Sequence, residues 1–115
     1  MVICSPLARA VQTLLMSKIK YAHLSFSDHF REVRDGNPIN LFPLENADRL
    51  YESQEELSRR LDVARSVLSV LSRETVVENG VRREYRVLVV SHSTFLHSLI
   101  GKWFANGELT VADVS

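Results

Sequence analysis

The sequence is poor in cysteine, glycine and proline and carries no excess of charge of either sign. Its single cysteine, Cys4, excludes an internal disulfide, and the apolar residues around it favour a buried, inert thiol. A lone cysteine is typical of a reducing compartment, so we expect a cytoplasmic protein. Four glycines and three prolines in 115 residues leave the chain without a low-complexity or repetitive tract.

The charge balance excludes several classes of partner. Fourteen basic and fourteen acidic side chains cancel, which argues against nucleic-acid binding and against a polybasic membrane signal. No apolar run approaches the roughly 20 residues that span a bilayer, and the amino terminus lacks a signal-peptide core. We therefore expect a soluble protein with a small-molecule or protein partner. At 13.1 kDa, residues 1–115 form one domain or part of one.

The hydrophobic pattern predicts two strand-to-helix turns. The apolar residues 1–4 lead into Ser5-Pro6, where Ser5 suits a helix N-cap and Pro6 the first helical position. Helical spacing then continues over residues 7 to about 21 on a stripe of apolar residues. That stripe consists of Leu7, Val11, Leu14, Leu15 and Ile19.

The second turn follows residues 87–90, an unbroken β-branched and apolar run typical of a strand covered on both faces, as in a parallel sheet. Ser91-His92-Ser93 comes directly after it, and helical spacing resumes from Phe95. Arg9 lies just past the first turn and His92 at the second. If both strands belong to one parallel sheet, the two side chains face the same crevice and form a phosphate cradle.

The chain between the two turns divides into a loop-rich part and a helix. Residues 22–50 lose periodicity, with turns at 35–38 and Pro43, and form a candidate substrate-contacting insertion with room for one short helix. Ser53 and Glu56 have capping-box spacing and predict a helix that runs past residue 70. An exposed turn is expected at residues 78–80, and residues 109–114 begin a further strand.

Residues 5–13, Ser-Pro-Leu-Ala-Arg-Ala-Val-Gln-Thr, resemble the signature of the histidine phosphatase, or phosphoglycerate mutase-like, superfamily. In that signature Ser-Pro-Leu precedes a phosphate-binding arginine and a Gln-Thr pair. Residues 89–92, Val-Val-Ser-His, resemble the strand of this family that ends in its second catalytic histidine. Arg31-Glu32 followed by Pro38 is similar to the segment in which a glutamate donates a proton to the leaving group.

The resemblance implies an α/β fold, three layers α/β/α with a mostly parallel sheet, and phosphoryl transfer through a phosphohistidine without metal or cofactor. Carried over by position, Arg9 and His92 bind phosphate, His92 stabilises the transition state, and Glu32 is the general acid. The expected partner is a phosphorylated small molecule or phosphoprotein. Taken alone, each residue also fits a structural role. Arg9 would be a solvated arginine on a helix, and His92 a hydrogen-bonded histidine at a strand end. Glu32 would belong to a surface charge cluster in which it pairs with its neighbours.

Two departures from the family pattern shape the expectations. The attacking histidine of the family lies in an Arg-His-Gly motif on an earlier strand, which this sequence does not contain. We therefore expect an incomplete sheet that lacks the first family strand, and a chain that is inactive alone. The exposed sheet edge allows a homodimer.

Ser93 is the second departure, because it stands where the family usually has glycine. With the attacking histidine also missing, a non-catalytic phosphate-binding pseudoenzyme and a truncated gene product remain alternatives. His23, His29 and His97 lack metal-ligand spacing.

Overall fold

Short parallel strands lie between α-helices in the structure, a computed structural model that describes residues 1–42, 45–73, 75–84 and 86–105. In chain order the elements are β1 (Val2–Cys4), α1 (Ala8–Ser17), β2 (Leu24–Phe26), α2 (Gln54–Ser72), β3 (Thr75–Glu78), β4 (Val81–Glu84), β5 (Leu88–Val90) and α3 (Ser93–Ile100). Short 3₁₀ turns cover Asp28–Phe30, Pro38–Asn40 and Ala47–Arg49. Pro43 and the strand predicted at 109–114 lie outside the described residues.

β1 is the central strand of a parallel sheet whose order, within the described residues, is β2-β1-β5. Cys4 lies opposite Phe26 on one side and Val90 on the other, so the carboxyl ends of all three strands are level. The predicted parallel sheet is therefore confirmed, and β1 and β5 are neighbours in it, which meets the condition for a shared crevice. β2 was not predicted, because three residues are too few to show a period. Its place is fixed by long-range pairing with β1.

Helices cover both faces of this sheet. Side chains alternate along β1, so that Val2 and Cys4 pack against α1 while Ile3 packs against α2 and α3 on the other face. On the Ile3 side, Phe30 and Phe95 meet edge to face with ring centroids 5.8 Å apart. The predicted three-layer α/β/α arrangement is thus confirmed. β1 is fully buried, whereas β5 is only half-buried, so the strand covered on both faces is β1.

α1 is shorter than predicted at both ends. It begins at Ala8, because Ser5 does not act as the N-cap; the N-cap is Leu7, which makes no side-chain capping bond. The helix ends where Lys18 adopts a left-handed conformation with φ of 55°. Leu15 and Ile19, predicted on the buried stripe, are 69% and 45% exposed. The other three stripe residues are buried or packed against the core, so the packed face runs through Leu7, Val11 and Leu14 together with Ala10.

α2 matches its prediction closely. The hydroxyl of Ser53 accepts the Glu56 N–H at 3.1 Å, which caps the helix as its sequence spacing indicated. Beyond α2, Asn79 and Gly80 both have positive φ, and they join β3 and β4 in an antiparallel hairpin. The turn was predicted, but its two flanking strands were not. No helix in the described part of the chain combines the length and apolar character needed to cross a membrane.

The insertion between β2 and α2 is ordered by turns and by ion pairs. Gly36 has φ of +96°, a conformation that L side chains rarely adopt, and a Cβ there would also collide with the Tyr51 ring, so this position favours glycine. Glu52, whose side chain is 1% exposed, binds Arg60 at 2.7 Å and approaches Arg34 at 3.8 Å. These contacts attach the insertion to α2, and they fix the loop that carries the site residues described next.

Candidate phosphate-binding site

Arg9 and His92 lie together at the carboxyl ends of β1 and β5. Each strand leads within a few residues into a helix, which places Arg9 in the first turn of α1 and His92 at the N-cap of α3. Nη2 of Arg9 is 3.5 Å from Nδ1 of His92. The parallel register of the two strands is the reason that residues 83 positions apart meet here.

The insertion holds the Arg9 guanidinium in place. Nη1 donates to the Ile39 carbonyl at 2.9 Å, and Nη2 donates to Oδ1 of Asn40 at 2.8 Å. The buried Asn40 amide in turn donates to the Val33 carbonyl at 3.2 Å and to Asp35 at 3.3 Å, which orients its oxygen towards Arg9. Sequence reasoning missed Asn40. The turn signal at residues 35–38 located this segment but gave no indication of a contact with Arg9.

His92 is buried and neutral. Only 8% of the residue is exposed, and Nε2 lies 2.7 Å from the hydroxyl oxygen of Ser5. Burial, and to a smaller extent the positive charges of Arg9, Arg60 and Arg31, together lower the pKa of His92 to about 4. The imidazole is therefore uncharged at pH 7. An anion that contacts both the imidazole and Arg9 would favour the protonated form of His92.

Glu32 lies at the same site, but its carboxylate already accepts hydrogen bonds from the backbone. Oε1 accepts the backbone N–H groups of Phe95 at 2.8 Å and Val33 at 2.9 Å, and Oε2 accepts that of Thr94 at 3.4 Å. Glu32 thus caps the amino terminus of α3, whose N-cap residue His92 makes no side-chain capping bond. This arrangement leaves the imidazole free to face Arg9.

The interpretation of residues 31–35 as a mutually paired surface cluster is wrong. Arg31 is 5% exposed and binds Glu45 through both terminal nitrogens, at 2.8 and 2.9 Å. The Arg31 hydrogen bond lowers the pKa of the Glu45 carboxyl to about 2. Arg34 is also buried and pairs with Glu56. The two arginines turn inward because the carboxylates that pair with them lie further along the chain. A local sequence pattern does not reveal partners at that separation.

Arg9, Glu32 and His92 line one cavity of about 780 Å³ between α1, β5 and α3. Ser93, the residue that departs from the family glycine, lines it too. Apolar side chains of the surrounding elements form much of the remaining wall. They include Ala10, Leu14, Met16, Ile19, Leu88, Val89, Val90, Leu96 and Phe104.

The remaining histidines and the cysteine lie apart from this arrangement. His97 stacks on Trp103 with centroids 3.9 Å apart, and His29 belongs to the 3₁₀ turn after β2. Across the described ranges, no three histidine, cysteine, aspartate or glutamate residues come together as a metal site. Cys4 is fully buried, and burial raises the pKa of its thiol, in keeping with the inert thiol that the sequence predicted.

The layered sheet defines an α/β protein, and a guanidinium and an imidazole lie in one crevice at the carboxyl ends of neighbouring parallel strands. The sequence model of the histidine phosphatase superfamily (branch 1) matches residues 1–112, and the chain belongs to that superfamily. No curated protein and no solved structure matches the chain.

Proposed function

We propose that this chain carries the phosphate-binding part of a phosphatase or phosphoglycerate mutase-like site that transfers phosphoryl groups through a phosphohistidine. Its ligand is a phosphorylated small molecule or phosphoprotein, and its setting is the cytoplasm. The observation that carries the proposal is the 3.5 Å approach of the Arg9 guanidinium to the His92 imidazole at the sheet edge. Superfamily membership supports the reaction class.

Positioning and electrostatics supply most of the catalysis in phosphoryl transfer. Arg9 is held by Ile39 and Asn40 before any ligand arrives, so little reorganisation is needed when it binds phosphoryl oxygens. His92 begins neutral and gains a proton as the anion binds, because opposite charge favours the imidazolium. Both groups then stabilise negative charge on the same phosphoryl group.

Under this proposal Glu32 protonates the leaving group. Its place on the cavity wall supports that role. The carboxylate must first take up a proton from solvent and give up the hydrogen bonds that it accepts from the backbone N–H groups of Thr94 and Phe95. Proton donation by Glu32 is therefore coupled to a local movement at the start of α3.

A non-catalytic role in binding phosphate ligands is the second candidate. The 115 residues contain no Arg-His-Gly motif, and Ser93 on the cavity wall adds a side chain where the superfamily usually has glycine. We therefore expect the isolated chain to bind phosphate without turning over an aryl phosphate. Turnover that disappears in His92→Ala would instead establish catalysis by this chain.

Calorimetric titration with inorganic phosphate and with tungstate tests the shared part of both candidates. The wild-type chain should bind, and Arg9→Ala should weaken binding at least about tenfold, as expected for losing a charged hydrogen-bond donor. Arg59→Ala is the matched control, because the Arg59 side chain is 76% exposed on α2 and pairs with Glu55. Binding that Arg9→Ala leaves unchanged would refute the proposal.

A further inference from the structure

Ser5 contributes a buried hydroxyl behind the site that the proposed mechanism has not used. The residue is 0% exposed, and its Oγ accepts the Leu7 N–H at 3.3 Å. The same oxygen lies 2.7 Å from Nε2 of His92, in a contact that joins residues 87 positions apart. A hydroxyl buried to this extent needs partners, and His92 is the one that belongs to the site.

The two neighbours of His92 determine which ring nitrogen carries the proton. A guanidinium has donors only, and Nη2 of Arg9 faces Nδ1 at 3.5 Å. A hydrogen on Nδ1 would therefore point at another donor. The hydrogen of the neutral ring belongs on Nε2, where the Ser5 oxygen accepts it at 2.7 Å.

We propose that Ser5 is a positioning residue that keeps the neutral imidazole of His92 in its Nε2–H form, so that a proton taken up on anion binding goes to Nδ1 beside Arg9. This inference rests on the function proposed above. The proton comes from solvent and no other bond forms or breaks. Nε2 donates to Ser5 both before and after proton uptake, so the ring need not rotate when its charge changes.

Whether Nδ1 of His92 carries a hydrogen determines whether it repels or attracts a phosphoryl oxygen. In the neutral ring Nδ1 offers a lone pair, which suits the Arg9 hydrogens and repels a phosphoryl oxygen. After proton uptake Nδ1 becomes a charged donor on the side where Arg9 already faces it. Without the Ser5 oxygen only Arg9 still disfavours a hydrogen on Nδ1, and the ring can turn away from it, so that part of the population no longer presents this arrangement.

Long-range ¹H–¹⁵N correlation spectra of the full chain read the tautomer directly. At pH 7 and without ligand, we expect His92 to show a protonated Nε2 and an unprotonated Nδ1, with its signals assigned by their absence in His92→Gln. A wild-type spectrum with the proton on Nδ1 would overturn the proposal whether or not any variant folds. We expect Ser5→Ala to give a mixture of tautomers and Ser5→Thr, which keeps the hydroxyl, to retain the wild-type pattern.

Phosphate titration distinguishes failure of this inference from failure of the proposed function. Ser5→Ala should weaken phosphate binding about two- to tenfold, the range expected for one lost hydrogen bond, and Ser5→Thr should restore it. If Arg9→Ala abolishes binding while Ser5→Ala changes neither affinity nor tautomer, the role of Ser5 is refuted and the site stands. If neither variant affects binding, the proposed function itself fails.

Discussion

Three polar residues of the site, Ser5, Asn40 and His92, are buried with partners that come from distant parts of the chain. Arg9 donates to Asn40, and His92 contacts both Arg9 and Ser5. Each contact satisfies a group that would otherwise destabilise the interior, since an unpaired buried polar atom costs about 1–3 kcal/mol. The site residues therefore belong to the packing of the protein as well as to its chemistry.

His92 should make stability depend on pH. The native imidazole resists protonation down to its pKa of about 4, whereas the unfolded one takes a proton near 6.5. Between these values the unfolded state binds more protons, so the free energy of unfolding falls as pH is lowered from about 6.5 to 4. The loss is on the order of 3 kcal/mol.

Denaturant unfolding at pH 7 and near pH 4.5 measures this effect. His92→Gln is the control, because it keeps every carboxylate that titrates in the same range while removing the imidazole. The wild type should lose more stability than the variant across this interval. Equal losses in the two proteins would mean that His92 is not buried in its neutral form.

At the level of elements, Glu32 connects the insertion to α3. Its carboxylate accepts N–H groups from Thr94 and Phe95, which the helix cannot satisfy internally. Glu32→Ala should therefore destabilise the protein by about 0.5–2 kcal/mol, as measured for lost N-caps. Glu32→Gln should cost less, because an amide oxygen still accepts a hydrogen bond.

Thermal and denaturant unfolding of these two variants tests the capping role separately from any proton transfer. Glu55→Ala is a suitable control, since the Glu55 side chain is 85% exposed in the first turn of α2. If Glu32→Ala unfolds with the same free energy as the wild type, the cap contributes nothing and the carboxylate is free for chemistry.

Local patterns in the sequence predicted the elements that local interactions determine. The Ser53 cap and the apolar residues at helical spacing were sufficient to predict α2. The two predicted strand-to-helix turns gave the positions of Arg9 and His92 at the ends of strands. The start of α1 was predicted wrongly because the Ser5 hydroxyl has a partner 87 positions away. β2 and the role of Asn40 were missed for the same reason, since both depend on contacts between distant segments.

At the level of the whole molecule, β5 is an edge strand of the described sheet. The Leu88 N–H donates to the Met1 carbonyl, and the Val90 carbonyl accepts the Ser5 N–H. The backbone hydrogen-bonding groups of Leu88 and Val90 therefore face β1. In a parallel strand, successive residues direct their backbone N–H and C=O groups to opposite sides. The N–H and C=O of Val89 therefore face away from β1, towards the open edge. No strand pairs with that side within the described residues.

An open edge of this kind favours association between chains. The exposed Met16 and Ile19 on the adjoining wall of the cavity add apolar surface next to it. We expect the isolated chain to form homodimers as its concentration rises. Sedimentation equilibrium over a concentration series checks this expectation, and a constant monomer mass throughout the series would contradict it.

The central position of β1 also sets a time order during synthesis of the protein. Arg9 and His92 are 83 positions apart, so a ribosome adding about 5–20 residues per second needs about 4–17 seconds to make the second after the first. Throughout that interval the nascent chain carries β1 without β5 and Ser5 without its histidine. The crevice is consequently among the last parts of the described structure to assemble, and a chain that stalls before residue 92 lacks the Arg9–His92 contact.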